Sequence, residues 1–171
     1  MKILGIDHGT NYTGWSLMEK DKVERFGLLD YTEIEYPAII PMFYHDIKRL
    51  IELVKPQCLV LEKPMHFRNA NTVRALVGVY SMAMLAGFNA QIIVKEITPN
   101  ELKEISKNGR DKWDVAVAIQ QKYGLDFDEI AVPIYYKVGK KKGQVRKRLF
   151  DPADAIALCW AYNQKIKKGV A

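Results

Sequence analysis

The first fourteen residues, MKILGIDHGTNYTG, constrain the fold of this chain more than any other stretch. Ile3, Leu4 and Ile6 form an apolar run too short for a typical helix, closed by Asp7 and a glycine-bearing polar turn. Such a run predicts a buried central strand with a carboxylate at its carboxyl end. Open α/β sheets bind ligands in the crevice outside the carboxyl ends of their strands, so Asp7 is well placed for chemistry. Taken alone, however, Asp7 and Gly9 are ordinary hairpin-turn residues.

The next residues extend that strand into a sheet. Trp15 and Leu17 alternate with Gly14 and Ser16, and Val23 to Leu29 follows a polar turn at Glu19 to Lys22, which predicts an antiparallel three-strand meander. Ile39, Phe43, Ile47, Leu50 and Val54 then recur at helical spacing and form a crossover. A second short apolar run, Gln57 to Leu61, ends in Glu62-Lys63-Pro64. A right-handed crossover lays this run parallel to the first, so Asp7 and Glu62 end neighbouring strands on one edge.

A helix from Asn71 to Ala86 is rich in small residues and apolar all round, so it must be covered on two sides. Its covers are the sheet and either another helix or a partner subunit, packing within the core being the plainer choice. Gln91 to Glu96 gives a fifth strand. Thr98-Pro99-Asn100-Glu101 has the capping-box spacing that starts a helix. Asp111 caps a further helix, Lys112 to Tyr123, which Gly124 ends. Residues 125–150 lack clean periodicity, and a last helix runs from Asp151 to about Lys167. The expected fold is α/β: one domain over 1–171, with a five-stranded mixed sheet (an antiparallel three-strand meander plus two parallel strands) flanked by helices.

Composition narrows the function. No apolar run approaches the ~20 residues of a membrane span and the amino terminus has no signal-peptide layout, so a soluble, cytoplasmic protein is expected. Cys58 and Cys159 fall in apolar runs and are expected as buried, reduced thiols. The net charge of +6 is uneven: Lys137, Lys140, Lys141, Lys142, Arg146, Lys147 and Arg148 form a run with no acid among them. This basic loop, at about 137–150, fits either a phosphate-bearing partner or a plain solvated loop. Gly139 and Gly143 loosen the chain there, and a mobile arm or hairpin is expected.

In Asp151-Pro152-Ala153-Asp154, Asp151 suits the N-cap, Pro152 the first helical position and Asp154 the third. By itself this is a well-capped helix. A last helix packed on the sheet, however, can bring both acids to the edge where Asp7 and Glu62 emerge. Four carboxylates there repel one another unless hard cations lie between them, and oxygen-rich sites suit Mg²⁺ or Mn²⁺. Two such ions roughly 3.5–4 Å apart hydrolyse phosphodiesters by in-line displacement. No Ser-His-Asp arrangement, Cys-x-x-Cys pair or Walker loop competes. His8, His45 and His66 are scattered, with His8 and His66 near the rim.

At this point the residues resemble a family. Gly5-Ile6-Asp7-x-Gly9, Leu61-Glu62 and Asp151-Pro-Ala-Asp154-Ala-Ile-Ala, with Arg68-Asn69-Ala70-Asn71 before the small-residue helix, are similar to the RuvC family of Holliday junction resolvases, within the ribonuclease H-like superfamily. The resemblance implies a homodimer that cuts four-way and other branched DNA junctions, with Asp7, Glu62, Asp151 and Asp154 as catalytic ligands to two Mg²⁺ ions, Mn²⁺ substituting. It also implies a dimer seam near residues 71–86, Lys112 facing DNA, and Met65 and Phe67 against bases at the crossover. Arg68 joins the DNA-binding set, as do Lys140, Lys141, Lys142, Arg146, Lys147 and Arg148 from the basic run. The sequence departs from the family pattern in carrying His8 where proline is usual and in its long basic stretch, features of a divergent, phage-borne version. Two rivals stand beside it. Gly5-Ile6-Asp7-His-Gly9-Thr10 also resembles the phosphate loop of actin-like ATPases and sugar kinases, although these need a second domain and a second Asp-x-Gly loop. The other is a branched-DNA-binding protein without catalysis.

Overall fold

β1 (Lys2–Asp7) is the middle strand of a five-stranded sheet. The computed structural model describes residues 1–64, 70–104 and 111–170. β2 (Tyr12–Glu19) pairs antiparallel with β1 and with β3 (Lys22–Asp30), while β4 (Cys58–Glu62) lies parallel to β1 and to β5 (Ile93–Ile97). The order is β3-β2-β1-β4-β5, the meander plus two parallel strands that the sequence predicts.

Side-chain alternation divides the core in two. Leu4, Ile6, Leu59 and Leu61 face α1 (Ile39–Val54) and α2 (Ala70–Asn89). Ile3, Cys58 and Val60 face α6 (Asp151–Lys167) and α4 (Lys112–Tyr123). With helices on both faces, β1 and β4 read as continuous apolar runs instead of alternating ones. A β-carbon at Gly5 would overlap the Ala155 carbonyl and stand 2.7 Å from Cys159 Sγ, so glycine lets α6 lie directly on β1. Cys159 donates to the Ser16 carbonyl at 3.4 Å, and both cysteines are buried free thiols, as expected.

Among the described residues, α2 is covered on one side only. Val79, Ala83 and Ala86 are buried with α1 and the sheet, and a β-carbon at Gly78 would overlap Ile40 of α1. Val77, Leu85 and Phe88 remain exposed on the other side. α3 (Pro99–Lys103) starts on the expected capping box, with both reciprocal bonds between Thr98 and Glu101 present. Asp111 caps α4 by accepting from the Asp114 N–H at 3.0 Å, and Gly124 ends it at φ 67°.

Residues 125–150 hold structure that short elements concealed. α5 (Phe127–Ile130) leads into β6 (Val132–Tyr135), which pairs antiparallel with β7 (Val145–Leu149) in a separate two-stranded ribbon. The basic run is therefore a hairpin. Its tip is closed by bonds from Tyr136 N–H to the Gln144 carbonyl (3.0 Å) and from Gly143 N–H to the Tyr136 carbonyl (3.0 Å). A second difference concerns α6: Phe150 holds the N-cap, its carbonyl accepting the Asp154 N–H at 2.9 Å, so Asp151 is the first helical residue and not the cap. Pro152 moves to the second position, where its missing N–H still costs nothing. Among the described residues no helix is long and apolar enough to cross a membrane.

Candidate active site

Asp7 is the last residue of β1 and Glu62 the last of β4. Their strands pair in parallel with Ile6 opposite Leu61, so the two acids fall next in register on one edge. Period two in a strand puts Asp7 with Ile3 and Gly5, and Glu62 with Cys58 and Val60, on the α6 face. The third and fourth acids, Asp151 and Asp154, lie in the first turn of α6. Gly14 makes that meeting possible. It pairs with Asp7 across the β1–β2 ladder, and a β-carbon there would overlap the Asp151 carbonyl.

The electrostatics record the convergence. Burial pushes the Asp7 carboxyl well up, and repulsion from Asp154, Asp151 and Glu62 adds to it, with Lys112 opposing. Asp154 is raised by burial and by Asp151, again against Lys112. Lys112, the first residue of α4, reaches over with Nζ 2.5 Å from Asp154 Oδ2. Burial works against its charge, but Asp154, Asp7 and Asp151 outweigh burial and hold the ammonium protonated.

A donor set made wholly of carboxylate oxygens fits hard divalent cations. Burial first, and mutual repulsion next, raise Asp7 and Asp154, and a divalent cation between them would oppose both. As they stand, no three acid, histidine or cysteine side chains among the described residues form a finished cage. The Lys112 ammonium sits on Asp154 in this arrangement.

The surroundings include His8, expected at the rim, together with groups the sequence does not single out. His8 stacks on Tyr80 with ring centroids 5.3 Å apart, and burial pushes its imidazole down to about 4, so it is neutral at pH 7. The Tyr80 hydroxyl donates to Glu96 at 2.5 Å, tying α2 to β5 beside the loop that follows Asp7. Thr13, fully buried, donates its hydroxyl to the Gly9 carbonyl at 3.0 Å and pins that loop. Only packing partners reveal Tyr80 and Gly14, and no local sequence signal could have marked them.

The predicted DNA-facing residues separate into groups. Met65, Phe67 and Arg68 lie outside the described residues, as does His66. Lys140, Lys141, Lys142, Arg146 and Lys147 are exposed along the hairpin. Lys147 Nζ stands 5.5 Å from the Tyr12 ring, which places the hairpin root beside the loop after β1. Arg148 differs from expectation. Its guanidinium bonds Asp128 Oδ1 at 2.6 Å and the Ala131 carbonyl at 2.7 Å, beside the packed rings of Trp113 and Phe127. It braces the hairpin root inward instead of facing solvent.

The fold is of the ribonuclease H-like class. The chain superposes over its whole length on 98% of the RuvC of Thermus thermophilus, solved in complex with a Holliday junction substrate, with a TM-score of 0.77 at 16% identity. It likewise matches the yeast mitochondrial Holliday junction resolvase Ydc2, with a TM-score of 0.67 at 13% identity over 98% of this chain and 81% of that one. In sequence, the family model for crossover junction endodeoxyribonuclease RuvC matches residues 3–126. The crossover junction endodeoxyribonuclease RuvC of Desulfitobacterium hafniense is 32% identical over 173 residues, covering 95% of this chain and 93% of the relative. The chain belongs to the RuvC family of crossover junction endodeoxyribonucleases.

Proposed function

We propose that this chain is a divalent-metal-dependent endonuclease that resolves four-way DNA junctions, acting as a homodimer with Mg²⁺ and accepting Mn²⁺. The observation that carries this is the electrostatic coupling of Asp7 to Asp154, Asp151 and Glu62 on one sheet edge. These four acids would hold the ions. Bound there, divalent cations supply the charge that activates a water and stabilises the leaving oxygen of a phosphodiester.

The chain's own residues do the rest. β1 and β4 fix Asp7 and Glu62 on rigid strand ends, and α6 brings Asp151 and Asp154 against them through Gly14. Lys112 neutralises Asp154 with a protonated ammonium and stands ready to meet the phosphate. Lys140, Lys141, Lys142, Arg146 and Lys147 hold the DNA backbone, contacts that position without reading sequence. A dimer is supported by the exposed apolar side of α2, with Val77, Leu85 and Phe88 open. Two strands of a two-fold junction need two sites related by two-fold symmetry, which an isologous dimer supplies.

The test is a synthetic four-way junction incubated with Mg²⁺, comparing the wild type with Asp154→Asn. Cleavage by the wild type alone, with junction binding retained by both, supports the assignment. Binding by the wild type without cleavage in Mg²⁺ or Mn²⁺ would instead make the chain a non-catalytic junction binder.

A further inference from the structure

The β6–β7 hairpin carries more than positive charge. Val138 is 80% exposed at its tip, and Tyr135 and Val145, paired across the ribbon, are 49% and 45% exposed. Among the described residues the ribbon pairs with no third strand, so its outer half has no core there in which to bury them. The tip is nevertheless built: Gly139 and Gly143 take φ of 81° and 83°, and Lys142 N–H bonds the Gly139 carbonyl at 3.1 Å. Arg148 fixes the root against Asp128, Trp113 and Phe127. Three exposed apolar side chains are thus held on a braced finger among Lys137, Lys140, Lys141, Lys142 and Arg146.

Lysines alone suffice to hold phosphates, and apolar side chains gain nothing from them. Base faces are different: they bind aromatic and aliphatic groups, and proteins insert such groups where stacking is interrupted. In continuous duplex those faces are hidden in the stack. At a branch point the stack breaks and they become available. We infer that the hairpin is a branch-sensing finger, in which Tyr135, Val138 and Val145 pack on unstacked bases while the surrounding lysines hold the flanking phosphates. The inference rests on the junction-resolving function proposed above.

Geometry fits this role. β7 runs straight into Asp151, and six residues at about 3.3 Å each put Val145 at most roughly 20 Å from it. Strands of a duplex advance about 3.4 Å per nucleotide, so Val145 reaches a base within about six nucleotides of the scissile phosphate, with the tip at Val138 somewhat further out.

The experiment compares the wild type with the triple variant Tyr135→Ser/Val138→Ser/Val145→Ser and with Val138→Ser alone, whose side chain packs on too little for its loss to affect folding. Binding is measured to a linear duplex and to a four-way junction bearing a fluorescent purine analogue at the branch. The expected result is a fall in junction-over-duplex preference on the order of tenfold in the triple variant, with a smaller fall for Val138→Ser. The salt slope stays unchanged, because apolar contacts release no counterions, and the analogue signal at the branch is lost. Unchanged preference and unchanged analogue signal in the triple variant would overturn the finger while leaving the nuclease assignment intact. A wild type with no preference for junctions over duplex would overturn the junction-resolving function itself, and the finger with it.

Discussion

Gly14 is the seat on which Asp151 rests: a β-carbon at position 14 would overlap the Asp151 carbonyl, and Gly14 is itself the ladder partner of Asp7. One missing side chain therefore sets the separation of two candidate ligands from different ends of the chain. Gly14→Val forces α6 off β2. The expected cost is about 1–3 kcal/mol of stability, as for overpacked cores, together with loss of junction cleavage. Chemical denaturation and a cleavage assay check both, and full cleavage by this variant would contradict the placement of Asp151.

Asp7 is expected to destabilise the metal-free protein. Its folded-state pKa is raised by burial first and by Asp154, Asp151 and Glu62 next. A raised carboxyl favours the protonated form in the fold, so stability is full below the ordinary carboxylate range and falls as pH rises through the folded value. In EDTA, Asp7→Asn should then melt above the wild type at pH 7, with the gap closing toward pH 4. Added Mg²⁺ should raise the melting point of the wild type and not of the variant. A variant that melts lower than the wild type in EDTA at pH 7 would count against the acidic constellation.

Arg148 and the lysines of the hairpin tip should separate in their effects. Arg148→Ala removes bonds to Asp128 and Ala131 and is expected to cost about 1–3 kcal/mol, leaving the salt slope of DNA binding unchanged. Neutralising Lys140, Lys141 and Lys142 together should leave the melting point in place, since these side chains are exposed. It should weaken binding to all DNA and flatten the slope of log affinity on log salt by up to roughly 0.9 for each phosphate no longer neutralised. Binding titrations at several salt concentrations decide, and an unchanged slope would reduce the run to a solvated loop.

The exposed side of α2 makes a further prediction. Leu85→Glu/Phe88→Glu should yield a monomer in sedimentation without lowering the melting point of the subunit. Gly78→Glu, which sequence alone would place at the seam, should instead unseat α2 from Ile40 of α1. A wild type that stays monomeric at micromolar concentration, with and without junction DNA, would remove the dimer.

Much of this is legible in the sequence. Ile3, Leu4 and Ile6 gave the central strand because a strand buried on both faces needs no alternation, and Thr98 and Glu101 gave a helix start because capping is local chemistry. Asp7 and Glu62 were placed on one edge by crossover handedness alone. The hairpin at 132–149 was not legible as strands, since its exposed basic residues carry no apolar period and its pairing is decided by the partner strand. Arg148 could not be told from Lys147 by composition, although one braces the root and the other lies over Tyr12. The N-cap shift from Asp151 to Phe150 turns on a single backbone conformation, at φ −96° and ψ 0°, that sequence does not dictate.

The central claim is that Asp7, Glu62, Asp151 and Asp154 form one metal-dependent centre that cuts junction DNA. The most direct measurement labels each strand of an immobile four-way junction in turn and follows cleavage in Mg²⁺ and in EDTA, for the wild type and for Asp7→Asn. Paired cuts at symmetric positions on two opposing strands are expected, by the wild type in Mg²⁺ only, with Asp7→Asn still binding the junction. Near-normal cutting by Asp7→Asn, or equal cutting by the wild type in EDTA, would contradict it.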